Sequence, residues 1–510
     1  MTDTRLTPET LPTALAREGV RGPAVDPDSL SIGIVHIGIG AFHRAHQAVF
    51  TELAAAASGD TRWGILGVTQ RSRGVVDQLE PQGGLYGVLQ KGADETELRV
   101  VGSVRGVAFP GEDTPRVIDA IAAETTHIVS LTVTEKGYRA RADGSLDRAD
   151  ADLLADAGAL AAVLGGADDV PPARSPIGLL VRGIAARAAA SSGPLTVVCC
   201  DNMVDNGRVV ERLVAEVLDL AGAPDDVRRW VEENVAFPNT MVDRIVPATT
   251  EENRVEAEGL TGLRDEGLVV AEPFRQWVIE DRFAGPRPPW ELAGATLTSD
   301  VTPFERAKLR MLNGTHSLLA YLGSLADLPL ISDAVADPRI GAIARGFLAE
   351  DAVPTLEAPD GLELSAYSDS LIERFSNPNT RHTTIQVAMD GSKKLPIRLL
   401  GTIADRLAAG ARPRYAARAL AAWAVFVARG RSRAGRELVL DDPRAVELAE
   451  AAGRGAEPLG AERLVANLFA LEDLVPAAVS GHPEFAERVA READALLTWL
   501  DGGDLADVAP

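Results

Sequence analysis

A chain of 510 residues with 46% hydrophobic and 25% charged content can bury large cores and divides into two or three domains of a soluble globular protein. Its formal net charge of -23 sets it against nucleic acid and anionic membrane surfaces, both of which would repel it. The two cysteines, Cys199 and Cys200, are adjacent, and neighbours in a strand point to opposite faces, which leaves no disulfide framework and no cysteine metal site.

The opening stretch MTDTRLTPETLPTALAREGV lacks the apolar core of a signal peptide, and its acidic residues do not suit a transit peptide, so a reducing, cytoplasmic location is expected. Residues 30 to 37, LSIGIVHI, form a β-branched apolar run that leads through Gly38-Ile39-Gly40-Ala41-Phe42-His43 into a helical pattern. Strand, glycine turn and helix in that order suit a dinucleotide: the first glycine permits the tight turn, the second admits a pyrophosphate, and the helix N-terminus favours negative charge. Ile37, Gly38, Ile39, Gly40, Ala41 and Phe42 are the cofactor-binding candidates, with His43 where the fingerprint's third glycine is expected. Standing alone, such a turn is also common in α/β folds that bind no nucleotide.

A second strand is read at 63 to 69, WGILGVT, without the acidic residue that would hold a ribose 2′-hydroxyl near its end. Gln70-Arg71-Ser72-Arg73 stands there, either as solvated turn residues or as a site that leaves NADP open beside NAD. Strands follow at 127 to 134 (HIVSLTVT) and 195 to 200 (LTVVCC). Near-continuous apolar strands alternating with helical stretches predict a doubly wound, mostly parallel sheet covered on both faces. Ligands bind at the carboxyl edge of such sheets, which adds Thr132, Thr134 and Asn202 to the candidates, although Asp201-Asn202 is also routine turn chemistry. Asp243 and Arg244, inside AFPNTMVDRIVPATT, are a satisfied ion pair as readily as substrate ligands. Residues 272 to 294 have the aromatic and proline content of a loop packed over a cleft, and Pro286, Pro288 and Pro289 mark a boundary. The division expected is 1–295 and 296–510.

The second part opens on FERAKLRMLNGTHSLLAYLG, 304 to 323, where an amine, an amide and an imidazole share one apolar helical run. At roughly 100° per residue, Lys308, Asn313 and His316 fall about 0°, 140° and 80° around the axis and can border one cavity. A lysine in such surroundings loses hydration of its charged form and becomes able to accept a proton near neutrality, as a general base for alcohol oxidation must. A snorkelling lysine, a satisfied asparagine and a core histidine would read the same way. Further on, 374 to 398 carries Arg374, Asn377, Arg381, His382 and Lys394, which either bind substrate hydroxyls or a carboxylate or stand in solvent. The run at 416 to 430 is interrupted by Arg418 and too short to span a bilayer, and is expected as a buried helix.

Read together and in order, GIGAFHRAHQAVF, SLTVTEKGY, CCDNMVDNG, NTMVDRIVP, QWVIEDRF and FERAKLRMLNGTHS resemble the long-chain mannitol dehydrogenase family, which includes mannitol 2-dehydrogenases and fructuronate reductases. The similarity runs from about residue 30 to at least 400. It implies a Rossmann-type N-terminal domain, a mainly α-helical C-terminal domain, a cleft between them, and metal-free hydride transfer with NAD, NADP not excluded. By matching motif, Lys308 resembles the family's general base, and Asn313 and Asn202 its two oxyanion amides. His316 resembles the residue that orients the substrate alcohol, Glu305 a glutamate on a proton path to solvent, and Asp243 a position near the substrate. Arg381, His382 and Lys394 are candidate substrate contacts, Arg381 first where a carboxylate needs a bidentate partner. The resemblance implies conversion of D-mannitol to D-fructose by a monomer, with D-mannonate to D-fructuronate or another polyol as the alternative. A zinc-dependent alcohol dehydrogenase would need cysteine and histidine ligands at metal spacing, and a non-catalytic nucleotide-binding regulator would leave the lysine, asparagine and histidine unexplained.

Overall fold

The structure, a computed structural model, describes residues 4–141, 144–167, 169–455 and 459–505, apart from the side chains of Glu135 and Lys136. The chain divides into two compact units, Met1–Val301 and Thr302–Pro510.

The first unit is built on six strands: Ile32–Ile37 (β1), Gly64–Val68 (β2), Val104–Ala108 (β3), Ile128–Leu131 (β4), Leu195–Cys199 (β5) and Val235–Ala236 (β6). They pair in the order β3-β2-β1-β4-β5-β6, and every pairing is parallel. This is the doubly wound order whose strand reversal, beside β1, opens a crevice for a ligand. The helices Ala41–Ala45 (α1), Gln47–Ser58 (α2), Pro176–Ala190 (α3) and Asn206–Leu220 (α4) lie between or after these strands in the chain, and alternation along the strands separates two cores. Val35, Ile37, Leu66, Val68, Val129, Leu131 and Cys199 belong to one, while Ile34, Ile65, Ile128, Val198 and Cys200 belong to the other. The adjacent cysteines, both buried and free, thus face opposite sides of the sheet.

Register places the strand ends in one row. Ala108 pairs with Val68, Val68 with Ile37, Ile37 with Leu131 and Leu131 with Cys199. The run expected as a strand through Thr134 ends as a strand at Leu131, and Thr134 stands at φ 69°, outside the extended region.

The stretch 272 to 294 is not a loop throughout. It contains Gln276–Glu280 (β8), antiparallel to Thr240–Asp243 (β7) and parallel to Thr296–Thr298 (β9). Trp277, Val278 and Ile279 are all buried, so the aromatic content that suggested a cleft cover is core instead. The pairing of β9 keeps residues 296 to 298 with the first unit.

The second unit is helical. Thr302–Ala307 (α5) runs into a π-helical segment, Lys308–Asn313, and then into Gly314–Leu325 (α6), all of whose residues are buried. Leu364–Ser376 (α7), Arg414–Arg429 (α8) and Pro483–Leu500 (α9) contribute to the same core. The run expected as a buried helix is α8, which packs against both α6 and α9. Among the described residues no helix is long and apolar enough to cross a membrane.

Candidate active site

The glycine turn follows β1 directly. Gly38 has φ +105°, and a Cβ there would lie 2.1 Å from the carbonyl oxygen of Thr132, so only glycine fits. The Thr132 hydroxyl donates to the Gly38 carbonyl at 2.7 Å, tying the end of β4 to the turn. Gly40 caps Ala41–Ala45 (α1) and is exposed; a Cβ on it would have only the Gly38 carbonyl oxygen within 4 Å, at 3.8 Å. That open backbone ahead of a helix fits the close approach of a pyrophosphate. The rest of the helix, Gln47–Ser58 (α2), continues past a kink at His46.

His43 replaces the third glycine by stacking. Its ring lies on that of His36 with centroids 3.3 Å apart and an interplanar angle of 13°. Where a glycine would let helix and strand touch, two flat imidazoles fill the gap. His36 Nδ1 meets the Ser130 hydroxyl at 2.8 Å and Nε2 the Thr132 hydroxyl at 2.9 Å. Burial pushes His36 and His46 down to about 3 and His43 well below its ordinary value, so this layer under the turn stays neutral.

Ile37 and Ile39 are buried, whereas Ala41 and Phe42 are half-buried and Thr134 is exposed. Past β5, the Asp201 carboxylate accepts from the backbone N–H groups of Val133 and Thr134, both at 2.9 Å, and from the Tyr138 hydroxyl at 2.6 Å. It locks the loop after β4 to the loop that presents the exposed Asn202. In the sequence Asp201 reads only as routine turn chemistry after β5. Asn206 is structural: buried, it donates to the carbonyls of Asp201 and Thr240 and accepts from the Thr240 N–H. Asp243, 5% exposed, closes β7. Arg244 donates to the carbonyls of Ala45 and Glu272 and to the side chain of Gln90.

In the second unit the backbone departs from a regular α-helix at Lys308–Asn313. The Gly314 N–H donates to the Leu309 carbonyl, five residues back. A turn closed over five residues absorbs one extra, so spacings of five and eight behave as four and seven would in an ordinary helix. Lys308, Asn313 and His316 therefore share one face instead of spreading over about 140°. They are 8%, 7% and 8% exposed, and α5 brings the half-buried Glu305 one turn earlier.

His316 packs its ring against Phe375 at 5.2 Å and His382 at 5.1 Å. Burial holds it well below its ordinary value, and His382, Arg398, Arg374 and Lys394 depress it further. His316 Nε2 and His382 Nδ1 are buried without a hydrogen-bond partner among the described residues. Buried polar atoms are rarely left so, and such atoms mark places where a ligand completes the bonding. Arg398 donates to the Ser317 hydroxyl at 3.2 Å and is pushed down by burial to about 10. Lys394 donates to the Met389 and Val387 carbonyls and is pushed down to about 8. Arg374 and Asn377 are buried, whereas Arg381, the first candidate for a carboxylate, is exposed at φ +49°. Arg398 closes the same stretch, and its spacing of four from Lys394 is the sequence signal that joins it to the cluster.

The chain matches the mannitol dehydrogenase Rossmann domain over residues 32–292 and the mannitol dehydrogenase C-terminal domain over residues 300–497. It is 40% identical to D-mannonate oxidoreductase of Escherichia coli (strain K12) over 491 residues, 94% of this chain and 98% of that protein. A mannitol 2-dehydrogenase of Pyrenophora tritici-repentis (strain Pt-1C-BFP) is 35% identical, over 89% of this chain and 78% of its own length. Among solved structures, the Pseudomonas fluorescens mannitol 2-dehydrogenase ternary complex with NAD and D-mannitol superposes with a TM-score of 0.82 at 32% identity, covering 98% of this chain and 99% of that one. Parallel Rossmann sheet, helical second unit and both family domains agree: the chain belongs to the mannitol dehydrogenase family and is an oxidoreductase of the polyol dehydrogenase type.

Proposed function

We infer that this protein is a metal-independent, NAD(P)-dependent dehydrogenase of the cytoplasm that interconverts a secondary alcohol of an acyclic sugar alcohol and the corresponding ketose, D-mannitol and D-fructose first. The observation that carries this reading is the single buried face holding Lys308, Asn313 and His316. The dinucleotide, when bound, supplies the hydride acceptor. Lys308 in its neutral form takes the hydroxyl proton, and Glu305 passes it toward solvent. The amide N–H of Asn313 donates to the oxygen as it gains negative charge, a role that the family resemblance implies for Asn202 as well. His316 stays uncharged and uses its Nε2 to orient the alcohol.

A second reading, oxidation of a hexonate such as D-mannonate, is favoured by the cations around His316. Arg374, Lys394 and Arg398 stand about it, a setting suited to a carboxylate at the end of the substrate chain. The 40% identity to a D-mannonate oxidoreductase supports the same reading.

Purified protein assayed on D-mannitol and D-mannonate with NAD, with and without a chelator, tests both. Turnover is expected to survive the chelator, and the larger kcat/KM names the substrate. Lys308→Ala is expected to abolish proton abstraction, with part of the activity restored by added primary amines. Asn313→Ala is expected to lose about 100- to 1,000-fold in kcat. Full activity in the lysine variant would remove Lys308 from the mechanism.

A further inference from the structure

The first unit holds a cavity of about 260 Å³ at the carboxyl edge of its sheet, and three arginines line it. Ile37, the last residue of β1, and Thr69-Gln70-Arg71, directly after β2, form one side. Gln70 reaches back to the glycine turn, where its side-chain nitrogen would be 3.2 Å from a Cβ on Gly38. Arg139 and Arg174 border the same space from later loops. Among the described residues that line the cavity, none is acidic.

Charge and position together decide what the cavity selects. In a parallel sheet of this order, the residues leaving the second strand meet the adenosine ribose: an acidic side chain there accepts from a 2′-hydroxyl, whereas an arginine accommodates a 2′-phosphate. Here glutamine and arginine occupy the place of the acid. Arg139 is paired with Asp150 at 3.2 Å and Asp152 at 2.9 Å, and Arg73 is held by Asp77, Glu80 and Glu112. No described carboxylate forms an ion pair with Arg71 or Arg174, both of which are exposed at the cavity. The nearby Asp156 is engaged by the N–H groups of Arg174 and Ser175 and by the Ser175 hydroxyl, which fixes the segment bearing Arg174. That segment opens the 15-residue helix Pro176–Ala190, whose N-terminus adds to the positive potential.

We propose that this cavity receives the 2′-phosphate of NADP, so that the protein binds 2′-phosphorylated dinucleotides at least as tightly as NAD. Arg71 and Arg174 are the direct partners of the phosphate. The proposal rests on the dinucleotide reading of the glycine turn given above, and a measurement without turnover separates the two. Calorimetric titration of the full-length protein with 2′,5′-ADP and with 5′-AMP is expected to give the tighter binding to 2′,5′-ADP, by roughly tenfold or more. Arg71→Ala and Arg174→Ala are each expected to weaken 2′,5′-ADP by about tenfold while leaving 5′-AMP unchanged, which also serves as the check on folding. Gln70→Asp is expected to reverse the preference. Equal affinity for the two nucleotides would overturn the phosphate site and leave the dinucleotide reading standing; binding of neither would overturn both.

Discussion

Lys394 is a residue whose charge changes where an assay can follow it. Burial pushes its ammonium down to about 8 and Arg398 pushes the same way, while Asp390, Asp442 and Asp441 pull against them. A lysine lowered from the usual value of about 10.4 is charged below about 8 and neutral above it. In the window between those values the unfolded chain binds the extra proton, so the cost of burying Lys394 falls as pH rises. For catalysis the sign is opposite: a carboxylate that relies on this ammonium loses its partner as pH climbs through about 8. The KM for D-mannonate is therefore expected to rise across that pH while the KM for D-mannitol stays level, and Lys394→Met should flatten the difference. His316, neutral throughout, contributes nothing to this limb. Parallel profiles for the two substrates would show that Lys394 meets no carboxylate. Sequence alone ranks Arg381 ahead of Arg374 and Lys394, yet Arg381 is the exposed one of the three, because exposure depends on which way α7 and the loop after it turn. The buried Arg374 and the exposed Arg381 are separated by one short turn, Pro378–Thr380.

At the scale of elements, what was legible followed hydrophobic pattern, and what was hidden followed backbone geometry. The runs around β1, β2, β4 and β5 announce themselves because both faces of a covered parallel strand are apolar. The π turn at Lys308–Asn313 leaves no such mark: its residues would suit an ordinary helix, and only the five-residue hydrogen bond reveals the added one. The strand Gln276–Glu280 was concealed by the prolines and aromatics on either side of its short buried core. A buried arginine in α8 was visible as an interruption, but its partner was not. Arg418 and Glu492 join α8 to α9 as an ion pair with side chains 1% and 2% exposed. Removing Arg418 takes a buried cation away from the buried Glu492 carboxylate, so Arg418→Met is expected to cost about 3–5 kcal/mol in chemical denaturation. The double variant Arg418→Met, Glu492→Leu should recover most of that loss, since apolar side chains of similar volume replace a desolvated pair at little net cost. A double variant as unstable as the single one would mean the pair is favourable in its own right.

For the whole molecule, the α/β class and the order of sheet before helices could be read from composition and spacing, because strand-sized apolar runs stop before residue 300 and Ala-rich helical runs follow. The reading of chemistry depended on residues far apart in the chain, and physics explains why it divides as it does. The glycine turn and its supporting Thr132 and Asp201 lie in Met1–Val301, whose described residues form three apolar cores, while Lys308, Asn313 and His316 lie in Thr302–Pro510, whose described residues form another. A unit with its own cores can fold alone. A fragment ending at Val301 is accordingly expected to fold and to enhance the fluorescence of added NADH, with an affinity within about tenfold of the full chain's. It should turn over no alcohol, because the proposed base is absent. Circular dichroism establishes whether the fragment is folded before the titration is read. A folded fragment that leaves NADH fluorescence unchanged would take the dinucleotide away from the Gly38 turn, since Gly38, Gly40 and Thr132 are all present in it with their hydrogen bonds.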